Sequence, residues 1–164
     1  MIEQARDFAL QAHDGQRYGS KPYIVHLEAV SKLAAPYGEN AQIVAYLHDV
    51  VEDTTVTLED VANKFGQHIS DCVAIVTDES GVDRAERKVK TNLKMAQVEP
   101  ALYDALIVKA ADRFANMRAC VIGKRHDLLA TYLSEYNDFK QAVFRQGLCD
   151  DMWRALDEIV VYHR

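Results

Sequence analysis

The chain has 164 residues, 49% of them hydrophobic, enough to close one apolar core. A formal charge of -6 and a sequence pI of about 5.5 exclude a continuous basic surface for tracking nucleic acid, so a polyanionic ligand must be met by local Lys and Arg or by a metal. No apolar run approaches the ~20 residues of a membrane span, Met1 leads into charged helix-like sequence in place of a signal peptide, and Cys72, Cys120 and Cys149 lack CxxC spacing, so a cytoplasmic protein without disulfide framework or zinc–thiolate site is expected.

Three prolines and seven glycines fall between periodic segments and punctuate them. Ile2 to His13 reads as an amphipathic helix through Ala5, Phe8, Ala9 and Ala12, ending near Gly15. Tyr23 to Ala35 repeats Val30, Leu33 and Ala34 and stops at Pro36-Tyr37-Gly38. Asn40 to Asp53 carries Ile43, Val44, Leu47, Val50 and Val51 at helical spacing. Thr57-Leu58-Glu59-Asp60 is a capped start, with Leu58, Val61 and Phe65 inward and Gly66 as the stop, and Ile69, Cys72, Val73 and Val76 continue the period. Glu79 to Val82 is a loop, and Asp83 with Glu86 forms a capping pair for the next helix. Pro100 opens a helix through Leu102, Ala105, Leu106 and Val108 that ends before Gly123. Leu128 to Gln146 and Leu148 to His163 are two longer amphipathic helices. Strand-like alternation is absent over any useful length, so the fold class is all-α, a single domain over residues 1–164 with about eight to ten helices.

The residues that carry chemistry are His26, His48-Asp49, Glu52-Asp53 and Asp112. On a helix His48 and Glu52 are four apart, Asp49 and Glu52 three, and Asp49 and Asp53 four, so they share one polar strip beside the packed face set by Val44 and Val51. His26 shares a face with Val30 and Leu33, and Asp112 follows the apolar run Ala105 to Ala111. Burying such groups costs several kcal/mol without a cation or hydrogen-bonded partners, which points to a divalent metal. Nitrogen and oxygen donors without thiolate suit Mn²⁺, Fe²⁺ or Mg²⁺ with open positions for water and substrate better than a closed structural zinc.

Longer strings accompany these residues. Ala12-His13-Asp14-Gly15-Gln16 followed by Pro22-Tyr23-Ile24-Val25-His26, then Leu47-His48-Asp49-Val50-Val51-Glu52-Asp53-Thr54, then Val108 to Arg118 containing Asp112-Arg113 and Asn116, occur in that order. From Phe8 to Arg118 the chain resembles the HD-type hydrolase domains of RelA/SpoT homologues and the free-standing small alarmone hydrolases. The resemblance implies that His26, His48, Asp49 and Asp112 ligate Mn²⁺, that Glu52 and Asp53 act on the attacking water, and that Asn116 and Arg17 contact a nucleotide. It implies hydrolysis of the 3′-pyrophosphate of guanosine 3′,5′-bis(diphosphate)-type alarmones, with release of pyrophosphate. Lys109, three residues before Asp112, is a candidate to neutralise phosphate or a plain solvated lysine, and the basic run Arg84 to Lys90 is a candidate rim for the 5′-phosphates or a solvated helix face.

Three departures from the family pattern bear on substrate identity: a short Gln16–Pro22 segment, Tyr18 in place of a small or basic residue, and Leu27 in place of a common proline. The rival readings are the same chemistry on an adenosine alarmone, a nucleoside monophosphate or NADPH, and a catalytically silent nucleotide-binding module. The paired Glu52 and Asp53 argue against the silent module, because binding alone requires no water-activating pair. The length leaves no room for a synthetase or regulatory domain, so a monofunctional enzyme with a small-molecule nucleotide as partner is expected, and no feature sets an oligomeric state.

Overall fold

The computed structural model describes residues Met1–Arg164. Ten α-helical segments run in chain order: α1 (Ile2–Ala12), α2 (Ile24–Ala34), α3 (Glu39–Leu47), the single turn α4 (Val50–Asp53), α5 (Leu58–Phe65), α6 (Gln67–Val76), α7 (Arg84–Ala96), α8 (Tyr103–Ile122), α9 (His126–Val143) and α10 (Asp150–His163). Between α1 and α2 lies a hairpin of two-residue strands, β1 (Arg17–Tyr18) and β2 (Lys21–Pro22), paired antiparallel with Arg17 opposite Pro22 and Tyr18 opposite Lys21. Two residues per strand are too few to leave a period in the sequence, and Gly19 at φ +60° turns the chain between them.

Helix α8 is the axis of the fold and packs against α2, α3, α6, α9 and α10. Its alanines Ala105, Ala110, Ala111 and Ala115 are buried and let neighbouring helices come close. Thirty-eight buried apolar residues form one core cluster, with Leu27, Leu47, Leu106, Met117 and Phe139 among its fully enclosed side chains. The caps follow local chemistry. Thr57 Oγ1 accepts from the Asp60 amide while the Asp60 carboxylate accepts from the Thr57 amide, and Asp83 accepts from the Glu86 amide to start α7. Leu58, expected inward, is instead an exposed residue at the first position of α5.

Several boundaries differ from those the sequence suggests. The helix expected over Asn40 to Asp53 is broken after Leu47, where the His48 imidazole takes up the Ala45 carbonyl at 2.6 Å and Asp49 adopts φ -108°, ψ 0°, and α4 starts as a separate turn at Val50. Pro100 begins a 3-10 turn over Pro100–Leu102, and α8 starts only at Tyr103 because Leu102 leaves helical geometry at φ -116°, ψ 22°. Helix α9 ends at Val143 because Phe144 is extended, three residues short of Gln146. The last helix begins at Asp150, after Cys149 in a left-handed conformation. No helix is long and apolar enough to cross a membrane.

Candidate active site

The break after α3 is what builds the site. His48 stands at the end of α3 with its Nδ1–H spent on the Ala45 carbonyl, an acceptor only, so Nε2 carries a bare lone pair in the neutral ring. That Nε2 lies 3.0 Å from Asp49 Oδ2 and 3.4 Å from Asp112 Oδ1, with no hydrogen-bond partner of good geometry. His26, from the first turn of α2, places Nε2 3.0 Å from the same Asp112 oxygen. Donor atoms of His26, His48 and Asp112 all fall within 4.8 Å of one another, and Asp49 joins them at His48 while the Tyr23 hydroxyl donates to its Oδ2 at 2.5 Å. Three helices and the α3–α4 break thus converge: both histidines are buried behind, and both carboxylates reach the floor of an open cleft of about 780 Å³.

The electrostatics describe a place that demands positive charge. Burial opposes an imidazolium at His48, yet Asp49 and Asp112 outweigh it and hold the ring well above the ordinary histidine value. Asp112 and Asp49 are correspondingly held below the usual carboxylate range, against burial, by the histidines. A lone pair aimed at two carboxylates, fixed in its tautomer by the backbone, fits a divalent cation with nitrogen and oxygen donors. The residues that would hold it are His26, His48, Asp49 and Asp112.

Glu52 and Asp53, on the turn α4, line the same cleft. Burial, together with Asp78 and Asp49 for Glu52 and with Asp49 for Asp53, raises both carboxyls above their ordinary values. Glu52 accepts from the Asp78 amide at 2.8 Å, and Asp53 accepts from Gln16 Nε2 at 2.9 Å, whose Oε1 in turn lies 2.7 Å from His13 Nδ1. Asn116, one turn along α8 from Asp112, donates to Asp112 Oδ1 at 2.9 Å and accepts from the Tyr18 hydroxyl at 2.7 Å. The Tyr18 ring stacks on His26, with centroids 4.6 Å apart and planes 16° from parallel. Lys109 also lines the cleft, with Nζ donating to the Val76 carbonyl at 3.1 Å and to Asp78 at 3.4 Å. Arg17 stands apart: it is exposed on the hairpin, its guanidinium faces the Ser20 carbonyl, and it does not line the cleft.

The opposite wall is basic. Arg84, Arg87 and Lys88 from α7 face Lys109 and Arg113 from α8, and Tyr132 from α9 lies between. Asp78 organises two of these cations, pairing with Lys88 at 2.5 Å and Lys109 at 3.4 Å, and they hold its carboxyl below the ordinary value although burial pushes it up. Arg113 is 5% exposed, lies over the Tyr132 and Phe139 rings, and shares Glu135 with Arg84. Asp78, Arg113 and Tyr132 are not evident as site residues in the sequence, because nothing in their spacing relates them to His48. Arg113 alone had a signal, since a charged residue beside Asp112 on an apolar helix must find a partner.

Residues 5–134 match the HD domain family. The chain is 34% identical over 125 residues to guanosine-3′,5′-bis(diphosphate) 3′-pyrophosphohydrolase MESH1 of Xenopus tropicalis, covering 72% of this chain and 68% of that one. It is 33% identical over 123 residues to the guanosine-3′,5′-bis(diphosphate) 3′-pyrophosphohydrolase of Vibrio cholerae, covering 71% of this chain and 17% of that one. It thus spans about two thirds of the length of the vertebrate relative and a small part of the bacterial one. A solved structure, described as a metazoan ortholog of SpoT that hydrolyses ppGpp and plays a role in starvation responses, superposes with a TM-score of 0.84 at 26% identity, over 98% of this chain and 94% of that chain. The chain belongs to the HD domain family.

Proposed function

We propose that residues 1–164 act as a single cytoplasmic phosphohydrolase domain that removes the 3′-pyrophosphate of guanosine 3′,5′-bis(diphosphate) or its pentaphosphate relative, with Mn²⁺ as its cation. The observation that carries this reading is the juxtaposition, in one cleft, of the His26–His48–Asp49–Asp112 cluster with Glu52 and Asp53 on one side and five cationic side chains on the other. In a chain of net charge -6, such a basic wall is the local receptor that a polyanion requires. The activities named for the relatives support the same substrate class.

When bound, a divalent cation supplies Lewis-acid chemistry at a phosphoryl oxygen and lowers the pKa of water. The chain's own residues do the rest. Glu52 and Asp53, raised by burial, accept and steer the proton of the attacking water. Asn116, fixed between Tyr18 and Asp112, orients the nucleotide beside the reacting phosphorus. Lys109, Arg84 and Arg87 neutralise phosphate oxygens, while Asp78 keeps Lys88 and Lys109 from repelling one another before substrate arrives. Arg17, exposed on the hairpin, is the remaining candidate to contact the nucleotide from outside the cleft. The bond between ribose 3′-oxygen and phosphorus breaks, water oxygen ends on pyrophosphate, and the 3′-oxygen takes a proton.

Ion-exchange analysis of products after incubating Mn²⁺-loaded protein with guanosine and adenosine 3′-pyrophosphates, plain nucleotides and NADPH tests the proposal. Pyrophosphate and guanosine 5′-diphosphate in equal amounts are expected. Orthophosphate release from NADPH, with the alarmones untouched, would replace this substrate with the rival one.

A further inference from the structure

A second group of donors lies outside the cleft. His68 and Cys72 stand four apart on α6, so both project from one face, and Asp104 meets them from the first turn of α8. His68 Nε2 is 2.9 Å from Asp104 Oδ2 and 3.9 Å from Cys72 Sγ, and the three donor atoms all fall within 4.8 Å of one another. None of the three residues lines the cleft. Asp104 and Asp112 are eight residues apart on α8, roughly 12 Å along the axis at 1.5 Å per residue.

We propose that His68, Cys72 and Asp104 form a second cation site, separate from the HD centre, that takes one borderline-soft divalent ion of the Zn²⁺ or Co²⁺ kind and clamps α6 to α8. Four features carry it. The donors are one nitrogen, one sulfur and one oxygen, the set that selects such ions over Mn²⁺ or Mg²⁺. Bond lengths of about 2.0–2.3 Å place tetrahedral donors roughly 3.3–3.6 Å apart, so the observed 2.9 and 3.9 Å require shifts of about half an ångström in a half-exposed histidine and a carboxylate. His68 Nε2 faces both the Asp104 carboxylate and the Cys72 sulfur, so one cation placed there meets all three donors. Cys72 is fully buried while His68 is 39% and Asp104 23% exposed, so the site opens to water on one side and leaves a fourth position for it. The lack of CxxC spacing spoke against thiolate ligation in the sequence, but an i, i+4 His–Cys pair on one helix with a carboxylate from its neighbour is an equivalent arrangement that CxxC counting does not see.

Position gives such an ion an effect on the cleft. Helix α6 ends at Val76, and the next residues, Thr77 and Asp78, are part of the cleft wall, so fixing α6 on α8 steadies the basic side of the active site.

Cobalt(II) is the probe, because a thiolate ligand gives a near-ultraviolet charge-transfer band and the HD centre contains no cysteine. Titrating the full, reduced chain with Co²⁺ is expected to raise this band to saturation at one thiolate-ligated ion per chain. The band should persist in Cys120→Ser and Cys149→Ser and vanish in Cys72→Ser. His68→Ala and Asp104→Asn, which alter partly exposed groups and keep the test independent of any folding defect in Cys72→Ser, should each weaken Co²⁺ binding read at that band by at least ~10-fold. A wild-type chain that shows no band at Co²⁺ saturation, or His68→Ala and Asp104→Asn variants that bind with wild-type affinity, would reduce the cluster to an ordinary His68–Asp104 ion pair beside a buried thiol.

Discussion

Tyr18→Phe isolates one oxygen atom. The hydroxyl donates to Asn116 Oδ1 at 2.7 Å, and Asn116 then donates from Nδ2 to Asp112 Oδ1 at 2.9 Å, so the phenol decides which way the amide faces and, through it, how Asp112 is held. Phenylalanine keeps the stacking on His26. Losing one partly buried hydrogen bond costs about 1 kcal/mol, which for a chain of this size lowers Tm by about 2–4 °C. The larger effect belongs to the centre: an amide free to flip withdraws a donor from Asp112, and loss of such supporting contacts weakens metal binding by ~10-fold or more. Thermal denaturation of metal-free protein and a Mn²⁺ titration followed by calorimetry read the two effects separately. A variant with the expected loss in Tm but unchanged Mn²⁺ affinity would refute the chain of influence from Tyr18 through Asn116 to Asp112.

Asp78→Asn leaves Lys88 and Lys109 facing each other without their shared carboxylate, and a cost of about 2 kcal/mol in urea denaturation at pH 7 is expected. The folded-state value of Asp78 is depressed, so its stabilisation is fully present above its unfolded value of about 4 and is lost as pH falls through the lower folded value; the gap between wild type and variant should therefore close in strong acid, and a gap independent of pH would show that the ion pairs are not its source. Leu47→Ala removes a fully enclosed side chain immediately before His48, and a loss of about 2–5 kcal/mol is expected by denaturant unfolding, whereas a loss below ~1 kcal/mol would mean that the site collapses without leaving a cavity.

What the sequence discloses and what it hides follow from the range of the forces involved. The caps at Thr57–Asp60 and Asp83–Glu86 are set by contacts three residues apart and are legible in the order of the residues alone. The donors His26, His48, Asp49 and Asp112 are legible as polar groups in apolar periods, and the fold brings them together. The break at His48–Asp49 is hidden because Val44, Leu47, Val50 and Val51 keep a helical period straight through it, and the interruption comes from a side chain taking a backbone acceptor. The basic wall is half-legible: Arg84 to Lys90 announces itself as a charge run, but only packing of α7 against α9 and beside α6 decides that Arg84, Arg87 and Lys88 face inward toward Arg113 and Asp78. Arg17 shows the converse, since proximity to His26 in the chain does not carry its guanidinium into the cleft.

The proposed function assigns the holding of a cation and the moving of a proton to different side chains of the cleft, and a side-by-side measurement of metal content and kcat in two variants tests that division most directly. Glu52→Gln/Asp53→Asn should keep wild-type Mn²⁺ content while kcat on guanosine 3′,5′-bis(diphosphate) falls by ~10²-fold or more, because neither carboxylate sits among the donors around His48. Asp49→Ala should instead lose metal, with turnover partly restored at high Mn²⁺. Near wild-type turnover by the double variant at saturating substrate and verified metal loading would contradict the assignment of proton transfer to Glu52 and Asp53.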